Sequence, residues 1–169
     1  PAKSLMPAGL ADQLENRGEF LDLIRFISVL GKPGEYANDE SPVIRKWRVI
    51  SANETGKPSV DEDADWLPAY SKVSGELPQE DFPAGEFVLA RGFVNVLVPG
   101  MAQIDVNSVD GLTLWVDGKP VDDLAAPIKL DKGRRTLTFG LDPTQRKAGL
   151  RVELRAVDGR GKFQPEGGL

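Results

Sequence analysis

The segment "LTLWVDG", Leu112 to Gly118, narrows the fold more than any other stretch of the chain. Leu112, Leu114 and Val116 alternate with Thr113 and Trp115, and Asp117-Gly118 follows at once. That is a half-buried strand running into a tight hairpin turn. The same period of two returns in Arg135-Thr136-Leu137-Thr138-Phe139, after a turn signal at Asp131-Lys132-Gly133. "VIRKWRVI", "EFVLARGFVNVLVP", "MAQIDVNSV" and "LRVELRAV" are further short runs rich in β-branched and aromatic residues, bounded by Gly, Pro, Asn and Asp. No helical period interrupts them, so the expected class is mainly β, an antiparallel β-sandwich.

The front of the chain has a different period. Phe20, Leu23, Ile24, Phe26, Ile27 and Leu30 recur at spacings of three and four, which predicts an amphipathic helix over residues 19–30, stopped by Gly31. A shorter helical turn is expected near residues 9–16. "KPGEYANDESP" then reads as a linker. The expected organisation is therefore an α-helical segment at 1–32, a linker at 33–42 and a sandwich at 43–169.

Composition limits the chemistry. The chain has 169 residues, no Cys and no His, so thiolate nucleophiles, Ser-His and Cys-His pairs and nitrogen- or sulfur-ligated zinc are excluded. A formal charge of −5 with scattered basic residues argues against nucleic-acid binding. The pairs Arg134-Arg135 and Arg146-Lys147 read as surface charges balancing acidic neighbours. No apolar run is long enough to span a membrane, and no signal peptide is visible, so the chain is expected to be either cytosolic or part of a longer exported protein.

The segment "SLMPAGLADQLENRGEFLDLIRFISVLG" resembles the C-terminal end of a c-type cytochrome module, and more narrowly the cytochrome tail of large exported bacterial haem-containing dehydrogenase-like proteins. The resemblance implies that Met6, held extended by Pro7, occupies the axial haem position, with Leu14, Leu23 and Phe26 on the packing face. Covalent haem c attachment needs Cys-x-x-Cys-His, which this chain lacks, so Met6 is not competent here and haem c belongs to the parent protein. The alternative for Met6 is an apolar filler in a helical lid.

From Pro42 to Val157 the chain resembles a PA14-like β-sandwich, a carbohydrate-associated, jelly-roll-like module of exported proteins. The carrying positions are Ser108 to Gly111, Leu112 to Lys119 and Leu130 to Leu137. Sugar-binding members hold calcium with paired aspartates; here Val109 replaces the first, leaving Asp110. One lost carboxylate weakens a site that needs six or more oxygens.

Asp61, Asp63 and Asp65 alternate as in a calcium loop, but Trp66 and Lys72 stand where Gly and Glu are required, so an EF-hand is rejected and only a non-standard calcium site or a solvated acidic loop remains. Trp47, Trp66, Tyr70 and Trp115 are the aromatics available for sugar stacking; Trp115 is assigned to the core, Trp66 and Tyr70 to the surface. The candidate ligand-binding residues are Trp66, Tyr70, Asp110 and Asp117. Together these readings lead to a non-catalytic accessory module, a carbohydrate binder, of an exported (periplasmic or extracellular) haem protein. Its partners would be the upstream cytochrome and dehydrogenase domains, a carbohydrate, and a second copy docked through the helix from Phe20 to Leu30. The alternatives are a purely structural interdomain or oligomerisation module and, on the Asp122-Asp123 pair, a carboxylate-based glycoside hydrolase.

Overall fold

The computed structural model describes residues 16–29, 43–52, 64–157 and 159–166. Two compact units, Pro1–Glu40 and Ser41–Leu169, divide the chain. In the first, α1 spans Arg17–Val29. It begins two residues earlier than its apolar period suggests because Asn16 and Glu19 form a reciprocal cap. Asn16 Oδ1 accepts the Glu19 N–H at 3.0 Å, and the Asn16 amide donates to Glu19 Oε1 at 3.3 Å. Phe20, Leu21, Leu23 and Ile24 are exposed. The shorter turn expected near residues 9–16 lies, but for Asn16, outside the described residues. Among the described residues no helix is long and apolar enough to cross a membrane.

The second unit is mainly β: two antiparallel sheets packed face to face. The strands are β1 (Lys46–Ala52), β2 (Leu67–Tyr70), β3 (Glu76–Leu77), β4 (Phe87–Val98), β5 (Gly100–Val106) and β6 (Leu112–Val116), followed by β7 (Lys119–Val121), β8 (Ile128–Leu130), β9 (Gly133–Leu141), β10 (Leu150–Ala156) and β11 (Lys162–Pro165). The larger sheet runs β2-β1-β4-β9-β6-β7, with β11 also on β4; the smaller runs β3-β10-β5-β8. At twelve residues, β4 is long enough for β1 and β11 to pair with its two halves. Just before β1, the Ile44 N–H donates to the Val152 carbonyl at 3.0 Å, so the chain leaves the smaller sheet as it joins the larger.

Alternation places one set of side chains between the sheets. Trp47, Val49, Val88, Ala90, Val94, Leu114, Leu137, Phe139 and Leu141 from the larger sheet meet Leu77, Ala102, Ile104, Leu130, Val152 and Leu154 from the smaller. Each fully buried Leu, Val or Phe contributes about 1.5–3 kcal/mol of transfer free energy, which makes this layer the main stabilising element. Trp47 is 1% exposed, packs edge-on to Phe139 at 5.8 Å and donates its indole N–H to Ser71 Oγ at 2.9 Å. It is therefore a core residue with a satisfied polar end, not a stacking platform.

Candidate binding face

The opposite alternation puts a second set of side chains on the outer face of the larger sheet. There Phe87, Leu89 and Trp115 form a separate buried cluster, with Ile50, Ala52 and Trp66 packed against it. Trp115 is buried as expected, but in this outer cluster and not between the sheets. The cluster fits because β9 carries Gly140 beneath the Phe87 ring: a Cβ there would lie 2.6 Å from Phe87 Cζ.

β2 is the edge strand, and its alternation turns Ala69 inward while Trp66, Pro68 and Tyr70 share the outer side. The sheet thus places Trp66 and Tyr70, two of the residues expected to bind ligand, on one face. Their surroundings differ. Tyr70 is 61% exposed and stands directly opposite Lys46 of β1. Trp66 is half-buried, with the Arg91 guanidinium 4.4 Å from its ring centroid and its Nε1 without a hydrogen-bond partner among the described residues.

Towards the other half of the face the character changes from apolar to cationic. Arg48 stands opposite Arg91, and Arg91 opposite Thr138, towards whose hydroxyl its Nε is directed at 3.4 Å. Phe93 projects one step along β4, with the Arg134 guanidinium 3.8 Å and the Arg48 guanidinium 5.7 Å from its ring centroid. Glu166 enters this group from the end of β11. Its backbone N–H donates to the Phe93 carbonyl at 2.8 Å, and its carboxylate takes a two-pronged contact from Arg134, 2.6 Å from Nε and 3.0 Å from Nη2. Hydrogen bonding from Arg134, reinforced by the charges of Arg134, Lys46 and Arg48, holds the Glu166 carboxyl below the usual carboxylate range. Among the described residues, no outward position of β1, β2, β4 or β9 carries an acid.

The other expected ligand residues lie elsewhere. Asp117 opens the β6-β7 hairpin with φ 49°; its Oδ1 accepts the Thr136 N–H at 2.9 Å and its Oδ2 the Arg135 guanidinium at 3.0 Å, which ties the hairpin to β9. Asp110 is exposed and accepts the Ser108 hydroxyl at 2.8 Å. Asp65 is exposed, and among the described residues no group of three or more acids is arranged to hold a metal ion. Met6, Asp61 and Asp63 lie outside the described residues. A separate half-open groove of about 510 Å³ runs past Val109, Trp115, Pro120, Asp122, Asp123 and Leu124. There Asp123 Oδ1 accepts the Ala125 N–H at 2.8 Å.

Arg146 is the residue that sequence reasoning misplaced. Read as a surface charge, it is 1% exposed. Its guanidinium donates to the carbonyls of Ser108 (2.7 Å), Ala148 (3.0 Å) and Gly149 (2.8 Å) and to Asn107 Oδ1 (2.8 Å), fastening the 107–111 loop to the start of β10. Burial lowers the proton affinity of this guanidinium, opposed by the charges of Asp110 and Glu76. The local signal was the Asp142-Pro143-Thr144 turn, in which Asp142 Oδ1 accepts the Thr144 N–H at 2.8 Å. That turn sets where Arg146 leaves the backbone, but the carbonyls it reaches come from a distant loop.

Comparison with known protein families finds none that matches this chain, and comparison with curated proteins finds no match.

Proposed function

We propose that the sandwich is a non-catalytic accessory module that binds carbohydrate, within an exported, haem-containing multidomain protein whose cytochrome and dehydrogenase domains carry out the redox chemistry. The observation that carries this reading is the outer sheet face. It offers Tyr70 on a rigid edge strand, opposite Lys46 and on the same side as Trp66 and Arg91. An exposed ring on a stiff scaffold, with hydrogen-bond donors beside it, presents an apolar surface to the C–H face of a sugar at little entropic cost. The resemblance of residues 42–157 to PA14-like modules supports the same class. The resemblance of the front segment to a cytochrome tail supports the larger setting.

The test is thermal unfolding of the chain against a panel of polysaccharide fragments, with and without millimolar calcium. A ligand present at about 100 times its Kd adds roughly 2.7 kcal/mol, a shift of several degrees for a domain of this size. A shift confined to particular glycans is expected, and it should be lost in Tyr70→Ala. No shift with any glycan would sink the binding reading.

The exposed residues Phe20, Leu21, Leu23 and Ile24 of α1 favour a second reading, in which the helical segment mediates oligomerisation or interdomain packing. Sedimentation of the chain against Ile24→Asp separates the two: a concentration-dependent dimer abolished by the substitution supports oligomerisation, and a monomer at all concentrations refutes oligomerisation and leaves packing against another domain.

A further inference from the structure

Resting on the carbohydrate-binding reading, we infer that the glycan recognised by this face is anionic, a polysaccharide bearing carboxylate groups, and that Lys46 and Arg48 receive its charge. Three observations converge. First, the chain carries −5 overall, yet Lys46, Arg48, Arg91 and Arg134 share one face of the larger sheet, and no outward position of its strands β1, β2, β4 and β9 carries an acid among the described residues. Second, Arg48 and Arg91 stand directly opposite one another on adjacent strands. The pair sets two positive charges side by side on this face. Third, Glu166 shows how a carboxylate sits in this group: Arg134 grips it through two nitrogens while Lys46 and Arg48 lower its proton affinity. Among the described residues, one carboxylate stands against these three cations.

The geometry suits a chain of sugars more than a compact ion. Lys46 and Arg48 are exposed and two residues apart on one strand, so their side chains are about 7 Å apart along it. Tyr70 lies across from Lys46, one strand away, with its ring open to solvent. A ligand that stacks a ring on Tyr70 therefore brings its substituents to Lys46, and the next unit to Arg48. Arg134 is held by Phe93 and Glu166 and lends field to the patch without having to move.

The experiment uses the full chain and a matched pair of polymers: polygalacturonate, which is anionic, and its methyl-esterified form, which keeps the backbone and removes the charge. Affinity is measured at low and moderate salt for the parent chain, Lys46→Gln, Arg48→Gln, the double variant and Tyr70→Ala, with single-stranded DNA as a polyanion lacking the sugar backbone. Both cations are exposed and outside the core, so the variants should stay folded, which thermal unfolding checks. Binding should be confined to polygalacturonate, weaken with salt, and fall on the order of tenfold or more in the double variant. Tyr70→Ala should weaken it as well. Equal binding of both polymers, or an unchanged double variant, would overturn the anionic inference and leave the carbohydrate reading standing. DNA bound as tightly as polygalacturonate would overturn it too, since charge alone would then suffice. Binding of no glycan at all would remove both.

Discussion

The Arg91 guanidinium lies 4.4 Å from the ring centroid of Trp66, although Arg91 is in β4 and Trp66 immediately precedes β2, two strands that β1 separates. Arg91 is buried, and the indole of Trp66 covers its guanidinium. A desolvated cation-π contact is worth up to about 2 kcal/mol.

Removing Trp66 should therefore cost more than its exposed edge suggests. Trp66→Ala is expected to destabilise the sandwich by about 2–3 kcal/mol in urea unfolding, and a double-mutant cycle with Arg91→Met should return a coupling of about 1 kcal/mol. Trp66→Phe retains a ring and removes the Nε1–H that has no partner among the described residues. It should fall within about 1 kcal/mol of the parent.

Arg146 should behave as a structural anchor. Arg146→Met leaves the Ser108 carbonyl without its donor and takes one of two donors from the Gly149 carbonyl, which keeps the Asn107 amide, and from Asn107 Oδ1, which keeps the Arg151 N–H; the expected loss is about 2–4 kcal/mol. Arg146→Lys should recover little, because a single ammonium cannot reproduce a planar fork. Urea midpoints of the two variants check this, and a stability near that of the parent in either would contradict the role.

Gly140→Ala inserts a methyl group against the Thr113 hydroxyl and into the Phe87 ring, 2.6 Å from Cζ and 2.8 Å from Cε1. Overpacking of this kind costs about 1–3 kcal/mol. Phe87→Leu together with Thr113→Ala in the same chain should return part of that loss, since the two changes take away the ring and the hydroxyl that clash. If the combined variant is less stable than the sum of its single changes, the conflict lies elsewhere.

The Glu166–Arg134 pair gives a pH signature. The Glu166 carboxyl titrates below its unfolded range, so its stabilising contribution is fully present above the unfolded value, about 4.3, and is lost as pH falls through the lower folded value. The difference in stability between the parent chain and Glu166→Gln should accordingly be largest at pH 5 and above and shrink towards zero in stronger acid. Chemical unfolding at a series of pH values measures it, and a difference that grew on acidification would contradict the pairing.

Much of the sandwich was legible in the sequence. Leu112 to Val116 and Arg135 to Phe139 alternate so regularly that strand, buried face and the Asp117-Gly118 turn follow from local geometry, and the structure has β6, β9 and a hairpin with φ 49° and 76° at those two residues. The short edge strands β2, β3, β7, β8 and β11 did not declare themselves. Segments of two to four residues, such as Leu67–Tyr70 with its proline, have no period of their own and become strands only when a neighbour supplies hydrogen bonds. The same reason governs the candidate site. Sequence identified Trp66 and Tyr70 as aromatics in an irregular stretch, but not that pairing with β1 would turn both to one face among Lys46, Arg48 and Arg91. Nor did it distinguish Arg146, buried among backbone and side-chain acceptors, from Arg48, which faces solvent: both are arginines in polar company. Periodicity determines which side of a strand each residue occupies. Which strand comes to lie beside it, and so which charges and rings share a face, is decided by contacts distant in sequence that form only when the sheets assemble.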